Sequence, residues 1–193
     1  MRRSIVLLSG GIDSLVIAER EFREGTLAGV VFVDMAHPSQ IDEGWRAFTF
    51  HGRTKIPLKA VHVFGLDLGD MTNAERSGVV PSRNLVLLSV ASNAAASLGG
   101  NVVLIGANKA DKTDYVDCRA QALKKTSRAF VAMGGVPIEA PLIHKTKREI
   151  INEARSFGLT QEDAWACYRS GPEPCGVCAS CKESKKAWST GNL

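Results

Sequence analysis

No apolar run in this 193-residue chain approaches the roughly 20 residues needed to span a bilayer, so no membrane partner is expected. Met1-Arg2-Arg3 before an apolar run has the outline of a secretory leader. Gly10 and Gly11 cut that run short and Asp13 follows, so a cytoplasmic location is expected. Neither sign of charge dominates: 24 Lys/Arg against 20 Asp/Glu leave +4, too little to argue for a nucleic-acid partner. The basic clusters at Lys124-Lys125, Lys145/Lys147/Arg148 and Lys182/Lys185/Lys186 read as solvated helix faces. There is no internal repeat and no low-complexity tract. Cysteine is nearly absent before residue 160, where Cys118 stands alone, and the other four crowd together after it. In a reducing cytosol that distribution argues for metal rather than disulfides. The G-x-x-x-x-G-K-[ST] pattern is also missing, which excludes an ordinary phosphate loop.

What the chain does have is an alternation of short apolar runs with amphipathic stretches. Its length suits one α/β domain with a small appendage, and the core needs no covalent staples. Ser4–Leu8, Leu27–Val33, Lys59–Val63, Val102–Ile105 and Val136–Ala140 read as strands. Leu27–Val33 is nearly continuous in apolar residues, as a parallel strand buried on both faces would be. Asp13–Glu24, Ser39–Phe50, Asn84–Leu98, Arg119–Met133 and Thr146–Phe157 read as helices, the third closed by Gly99-Gly100. Thr146-x-x-Glu149 fits a capping box, in which hydroxyl and carboxylate each satisfy a backbone donor. The expected fold class is α/β: a Rossmann-like open parallel sheet of about five strands with helices on both faces. Ligands on such sheets bind beyond the carboxyl ends of the strands, where the loops 9–14, 34–38 and 106–118 fall. Near residue 160 the composition turns toward Cys, Pro, Gly and Lys, so two units are expected, 1–160 and 161–193.

The first of those loops is the most informative. Ser9-Gly10-Gly11-Ile12-Asp13-Ser14 follows the first strand, from Leu8, and opens the first helix. Two glycines let backbone N–H groups approach a phosphate, and the helix start adds unpaired donors and a positive dipole end. Residues 8–14 are therefore the expected anion site. A plain Gly-Gly turn with a Ser/Asp cap is the alternative, and it leaves the joint fit of all six residues unexplained.

Cys167 with Cys175-x-x-Cys178-x-x-Cys181 supplies four thiolates, enough for tetrahedral Zn²⁺, and Pro172, Pro174 and Gly176 give the sharp turns of a knuckle. A structural Cys₄ zinc site is expected. An iron–sulfur cluster, free thiols or a redox pair are the alternatives. Cys118, between Asp117 and Arg119, reads either as a thiol activated by the neighbouring guanidinium or as a small buried residue.

The six-residue loop resembles the pyrophosphate-binding S-G-G-x-D-S loop of the N-type ATP pyrophosphatases, the PP-loop superfamily. From about Ile5 to Trp188 the chain further resembles the 7-cyano-7-deazaguanine synthases of the queuosine pathway. The family's P-G-R-N-hydrophobic segment stands here as Pro81-Ser82-Arg83-Asn84-Leu85, and its T-D…Y-P-D-C-R stretch as Ala110-Asp111 with Tyr115-Val116-Asp117-Cys118-Arg119. Its T-P-L…K-x-E stretch stands as Ala140-Pro141-Leu142 with Lys147-Arg148-Glu149, and its terminal C-Y…C-G-x-C-x-x-C as Cys167-Tyr168 with Cys175-Gly176-x-Cys178-x-x-Cys181. A family-like Q-R-H after the second strand is Met35-Ala36-His37-Pro38 here, and Lys109-Ala110, Ser82 and Val116 also depart from the pattern.

The resemblance implies a C–N ligase that uses ATP, with loss of pyrophosphate, to place AMP on the carboxylate of 7-carboxy-7-deazaguanine. Ammonia then gives the amide, and a second ATP drives elimination to the nitrile, 7-cyano-7-deazaguanine (preQ0). It also implies roles for single residues. Leu8, Ser9, Gly10, Gly11, Ile12, Asp13 and Ser14 hold the nucleotide phosphates, Asp13 helps to hold Mg²⁺, and Lys147 faces the phosphates. Asp111 and Asp117 accept from the guanine-like edge, while Arg119, Arg83 and the adjoining Asn84 meet the substrate carboxylate or a phosphate. Asp13, Ser14, Arg119 and Lys147 make up the implied catalytic set. The alternative for Arg83 and Asn84 is that they begin and cap the Ala-rich helix, and for Asp117–Arg119 that they form local surface pairs. Three other functions remain open: a member that stops at the amide or adenylates another acceptor, a thiolation-type tRNA-modifying enzyme, and a catalytically dead binding module. A homodimer is left open too.

Overall fold

The apolar runs alternate their side chains between two cores, and that alternation sets the architecture. The computed structural model describes residues 1–66, 80, 82–111 and 116–189. Its strands are β1 (Ser4–Leu7), β2 (Leu27–Asp34), β3 (Leu58–His62), β4 (Val102–Leu104) and β5 (Ile138–Glu139). They form one sheet in the order β3-β2-β1-β4-β5, every neighbouring pair parallel. Val6 and Leu8 enter one core together with Val30, Phe32 and Leu104, whereas Ile5 and Leu7 enter the other with Val31, Val33 and Val103.

The helices are α1 (Ile12–Arg23), α2 (Gln40–Thr54), α3 (Arg83–Leu98), α4 (Ala120–Ala132), α5 (Lys147–Ser156) and α6 (Ala179–Ser189). Residues of α1, α2, α5 and α6 fill the first core, and those of α3 and α4 fill the second, so both faces of the sheet are covered. The strand order reverses between β1 and β4. Their carboxyl ends therefore open a crevice at the topological switch point, where α/β proteins place their ligands.

Three elements differ from the sequence reading. α2 runs a turn past Phe50, because nothing stops it before Lys55, whose left-handed φ of 61° closes the helix with an N–H to the His51 carbonyl. β5 shrinks to two residues: Pro137 has no N–H to give and takes part only through its carbonyl, which accepts from Val103. α6 was not anticipated in the Cys- and Lys-rich tail, and it is held by Ala187 and Trp188 packing on the first core. The capping box at Thr146 and Glu149 forms as expected. Pro81 and Tyr115 of the family-like motifs lie outside the described residues.

Candidate active site

The loop after β1 is built to leave donors open. Gly10 has φ +79°, and a Cβ there would lie 2.4 Å from the Glu43 carbonyl oxygen, so only glycine lets α2 press against this turn. No side chain caps α1 at Gly11. Ser14 instead turns inward: its Oγ donates to the Gly11 carbonyl at 2.9 Å and accepts from the Ser9 N–H at 3.2 Å. The hydroxyls thus brace the loop and leave the start of α1 without a side-chain cap, the condition under which a helix start can take an anion. Gly106, just after β4, comes against the same turn: a Cβ there would lie 3.0 Å from the Ser14 nitrogen.

Asp13 and Lys147, 134 residues apart, meet in this crevice. Lys147 Nζ donates to Asp13 Oδ1 at 2.9 Å and Oδ2 at 2.7 Å, and Asn108 Nδ2 donates to Oδ2 at 3.0 Å. Burial disfavours the Lys147 charge, yet Asp13 more than compensates and its pKa is raised. Asn108, only 1% exposed, also donates its backbone N–H to Asp111 Oδ2 at 2.8 Å. One asparagine therefore sets the spacing of two carboxylates. Burial, helped by Asp13, pushes Asp111 up to about 6. Sequence reasoning missed Asn108 and Gly106; their place directly after β4, at the switch point, was the available signal.

The expected substrate residues gather around the start of α3. Asp117 Oδ2 accepts from the Asn84 N–H at 3.1 Å, and Asn84 Nδ2 reaches Cys118 Sγ at 3.1 Å. Arg83 and Asn84 do begin the helix, but its N-cap residue is Ser82, and the Asn84 N–H is satisfied by Asp117 from outside the helix. Burial lowers the pKa of His37, and the Arg83 charge lowers it further. Arg119 is the N-cap residue of α4. Cys118 is not an activated nucleophile: burial, with Asp111 and Asp117 nearby, pushes its thiol up to about 11. The reading as a small buried residue holds.

The cysteines converge. One ligand atom from each of Cys167, Cys175, Cys178 and Cys181 lies within 4.8 Å of the others, and Trp165 packs with them as a small core. Backbone N–H groups of Arg169 and Cys175 point to Cys167 Sγ, and that of Cys181 to Cys178 Sγ, at 3.3, 3.4 and 3.4 Å. Donors of this kind stabilise thiolates, so the four residues fit a four-coordinate metal. The knuckle also touches the loop: Trp165 N–H donates to the Gly10 carbonyl at 2.9 Å, and Asp42 of α2 accepts from the Gly171 N–H at 3.2 Å. Between knuckle and loop lies a cavity of about 170 Å³, lined by Gly11, Asp13, Glu43, Lys147, Tyr168 and Glu183 among others.

A glycine loop at the switch point of a five-stranded parallel sheet, with a cysteine knuckle over it, defines a PP-loop type of α/β protein. Solved structures share the fold. The U34-tRNA thiolase NcsA of Methanococcus maripaludis, described with a 4Fe–4S cluster, matches at TM-score 0.58 and 18% identity over 96% of this chain and 64% of that one. NMN synthetase from Francisella tularensis matches at TM-score 0.50 and 14% identity over 97% of this chain and 83% of the other. Sequence comparison is narrower. The family model described as queuosine biosynthesis protein QueC matches residues 58–192, and the chain belongs to that family. Among curated relatives, the 7-cyano-7-deazaguanine synthase of Rhizorhabdus wittichii is 31% identical over 100% of this chain and 93% of its own. That of Novosphingobium aromaticivorans is 34% identical over 93% and 86%. That of Thermoplasma acidophilum is 29% identical over 93% and 84%. No helix among the described residues is long and apolar enough to cross a membrane.

Proposed function

We propose that this protein is an ATP-dependent ligase that converts 7-carboxy-7-deazaguanine and ammonia to 7-cyano-7-deazaguanine, forming AMP in each activation. The observation that carries the reading is the Ser9–Ser14 loop opening onto the same cavity as Lys147, in a chain of the QueC family. A carboxylate resists ammonia because it is anionic and its oxygen is a poor leaving group. Transfer of AMP to that oxygen removes both obstacles. The first-turn N–H groups of α1 then receive the charge that builds on departing pyrophosphate, in a geometry fixed before reaction. Lys147 neutralises phosphate charge from the other wall. Arg83, Asn84, Asp111, Asp117 and Arg119 hold the deazaguanine acid, the carboxylates toward its N–H edge and the guanidinium groups toward its anionic end.

Asp13 would hold the Mg²⁺ that accompanies a triphosphate, an ion that would screen the phosphate oxygens. Cys167, Cys175, Cys178 and Cys181 fit Zn²⁺, which would brace residues 161–193 as a unit on the α/β domain, 1–160. The expected partners are therefore small molecules and ions rather than nucleic acid, and the cytoplasm is where ATP and such substrates meet.

The test is product analysis after incubation with ATP, Mg²⁺, ammonium and 7-carboxy-7-deazaguanine. The expected result is the nitrile, with two AMP and two pyrophosphate per nitrile. Amide alone would end the sequence one step early. Absence of AMP in every combination would overturn the ligase reading.

A further inference from the structure

Three side chains at the β2–α2 corner form a hydrogen-bonded chain that phosphate binding leaves unused. His37 Nδ1 lies 2.7 Å from Ser39 Oγ, and Ser39 Oγ lies 2.6 Å from Glu43 Oε1. Ser39 is fully buried and His37 half-buried, while Glu43 lines the cavity beside Gly11, Asp13 and Lys147. Gln40 Nε2 donates to the other Glu43 oxygen at 3.0 Å, and Gln40 Oε1 is itself fixed by the Met35 N–H at 3.0 Å. Ser39 is the N-cap residue of α2, yet its side chain makes no cap hydrogen bond. A capping serine contributes about 1 kcal/mol to a helix. Here the hydroxyl is committed to His37 and Glu43 instead.

A hydroxyl has one hydrogen, so Ser39 donates to only one of these neighbours at a time. In one arrangement Glu43 is a carboxylate, Ser39 donates to it, and Ser39 accepts from a protonated Nδ1. In the other, Glu43 carries the proton and donates to Ser39, which donates to a bare Nδ1. The Ser39 backbone N–H also points at Nδ1, from 3.1 Å, and that contact favours the bare nitrogen. The two arrangements differ by one concerted proton shift.

The surroundings keep both ends near balance. Burial pushes Glu43 up to about 7, opposed by the Ser39 and Gln40 hydrogen bonds and by Arg83 of α3, and aided by Asp42 of its own helix. Burial, and then Arg83, lowers His37. Across the cavity stand Asp13 of α1, Lys147 of α5, Tyr168 of the knuckle and Glu183 of α6.

We propose that Glu43, Ser39 and His37 are a proton relay for the ammonia step. The inference rests on the ligase reading above. The ammonia nitrogen forms a bond to the acyl carbon of the adenylate, and the carbon–oxygen bond to AMP breaks with its electron pair leaving on AMP. The nitrogen sheds one proton to Glu43 Oε1. Ser39 accepts that proton as it gives its own to His37 Nδ1, and His37 releases a proton to solvent at the loop surface. Glu43 is the catalytic residue of the three; Ser39 and His37 act through it.

The test separates adenylation from amide formation. ATP–pyrophosphate exchange without ammonia reads the first, and amide release at a fixed concentration of free ammonia, from pH 5.5 to 9, reads the second. In the wild type the ratio of amide formation to exchange should rise through a limb near pH 7 as Glu43 ionises. Glu43→Gln should lower that ratio by about 10²-fold and erase the limb. Ser39→Ala, which keeps the carboxylate, should lower it less and displace the limb. Exchange present with ratio and limb unchanged in both variants would overturn the relay. So would equal loss of exchange and amide formation, the mark of a merely structural role. No exchange in the folded wild type would overturn the ligase reading itself.

Discussion

Gly10 is constrained on two sides at once, by its own left-handed backbone and by the Glu43 carbonyl where a Cβ would sit. Gly10→Ala should therefore push α2 off the loop and abolish ATP binding, measured by calorimetry, with a stability loss of about 1–3 kcal/mol from strain alone. Ser82 shows the reverse situation. It holds φ 59° at the N-cap of α3, where the resembling family carries glycine. Ser82→Gly should relieve that strain and raise stability by roughly 1 kcal/mol in a denaturant titration. Asp111 gives a pH signature. With its folded pKa raised to about 6 from 3.8, the folded protein keeps a proton through that window which the unfolded chain has lost. Stability thus falls as pH rises from about 4 through about 6, by up to about 3 kcal/mol, and levels off above it. Asp111→Asn should flatten that fall in thermal melts. At this scale the loop glycines were legible because six adjacent residues carry the signal. Asn108 was not, since its value lies in the distance it sets between Asp13 and Asp111.

Among the elements, α5 ties local structure to chemistry most directly. Its capping box fixes the first turn, and Lys147 is the first residue of that turn. Thr146→Ala should cost about 1 kcal/mol of stability and also weaken ATP binding, because the lysine loses its anchored start. Glu149→Gln, which keeps the reciprocal contact, should do less on both measures. Strands and helices with a strong apolar pattern were readable from the chain, above all β2 with its nearly continuous run. The failures each have a cause. β5 was overcalled because Pro137 sits inside an apolar run, α2 was cut short because its apolar pattern ends at Phe50, and α6 is hidden because cysteine spacing dominates its sequence. Glu43 was overlooked for a related reason: it reads as one more acid in the first turn of a surface helix.

At the level of the whole molecule, the knuckle and the nucleotide loop are one mechanical unit through the Trp165–Gly10 and Gly171–Asp42 contacts. Cys178→Ala, or a strong chelator, should release one metal equivalent and lower the melting temperature. ATP affinity should fall in parallel, although no cysteine lines the cavity. Metal analysis, melting and calorimetry on the same preparation check all three. Strand order, and with it the convergence of residues near 13, 43, 84, 108, 117, 147 and 165, could not be read from the chain, since periodicity fixes elements but not their neighbours. Family-like motifs supplied part of that convergence.

The clasp between Asp13 and Lys147 has a consequence for selectivity. A ligand bearing only negative charge can recruit the ammonium only by stranding a half-buried carboxylate, and a cation alone faces the mirror-image penalty. Metal-free polyphosphate and lone divalent ions should each be held poorly. The pair should yield readily to a visitor that brings both signs together, so this mouth should favour a ligand in which cation and anion arrive already joined.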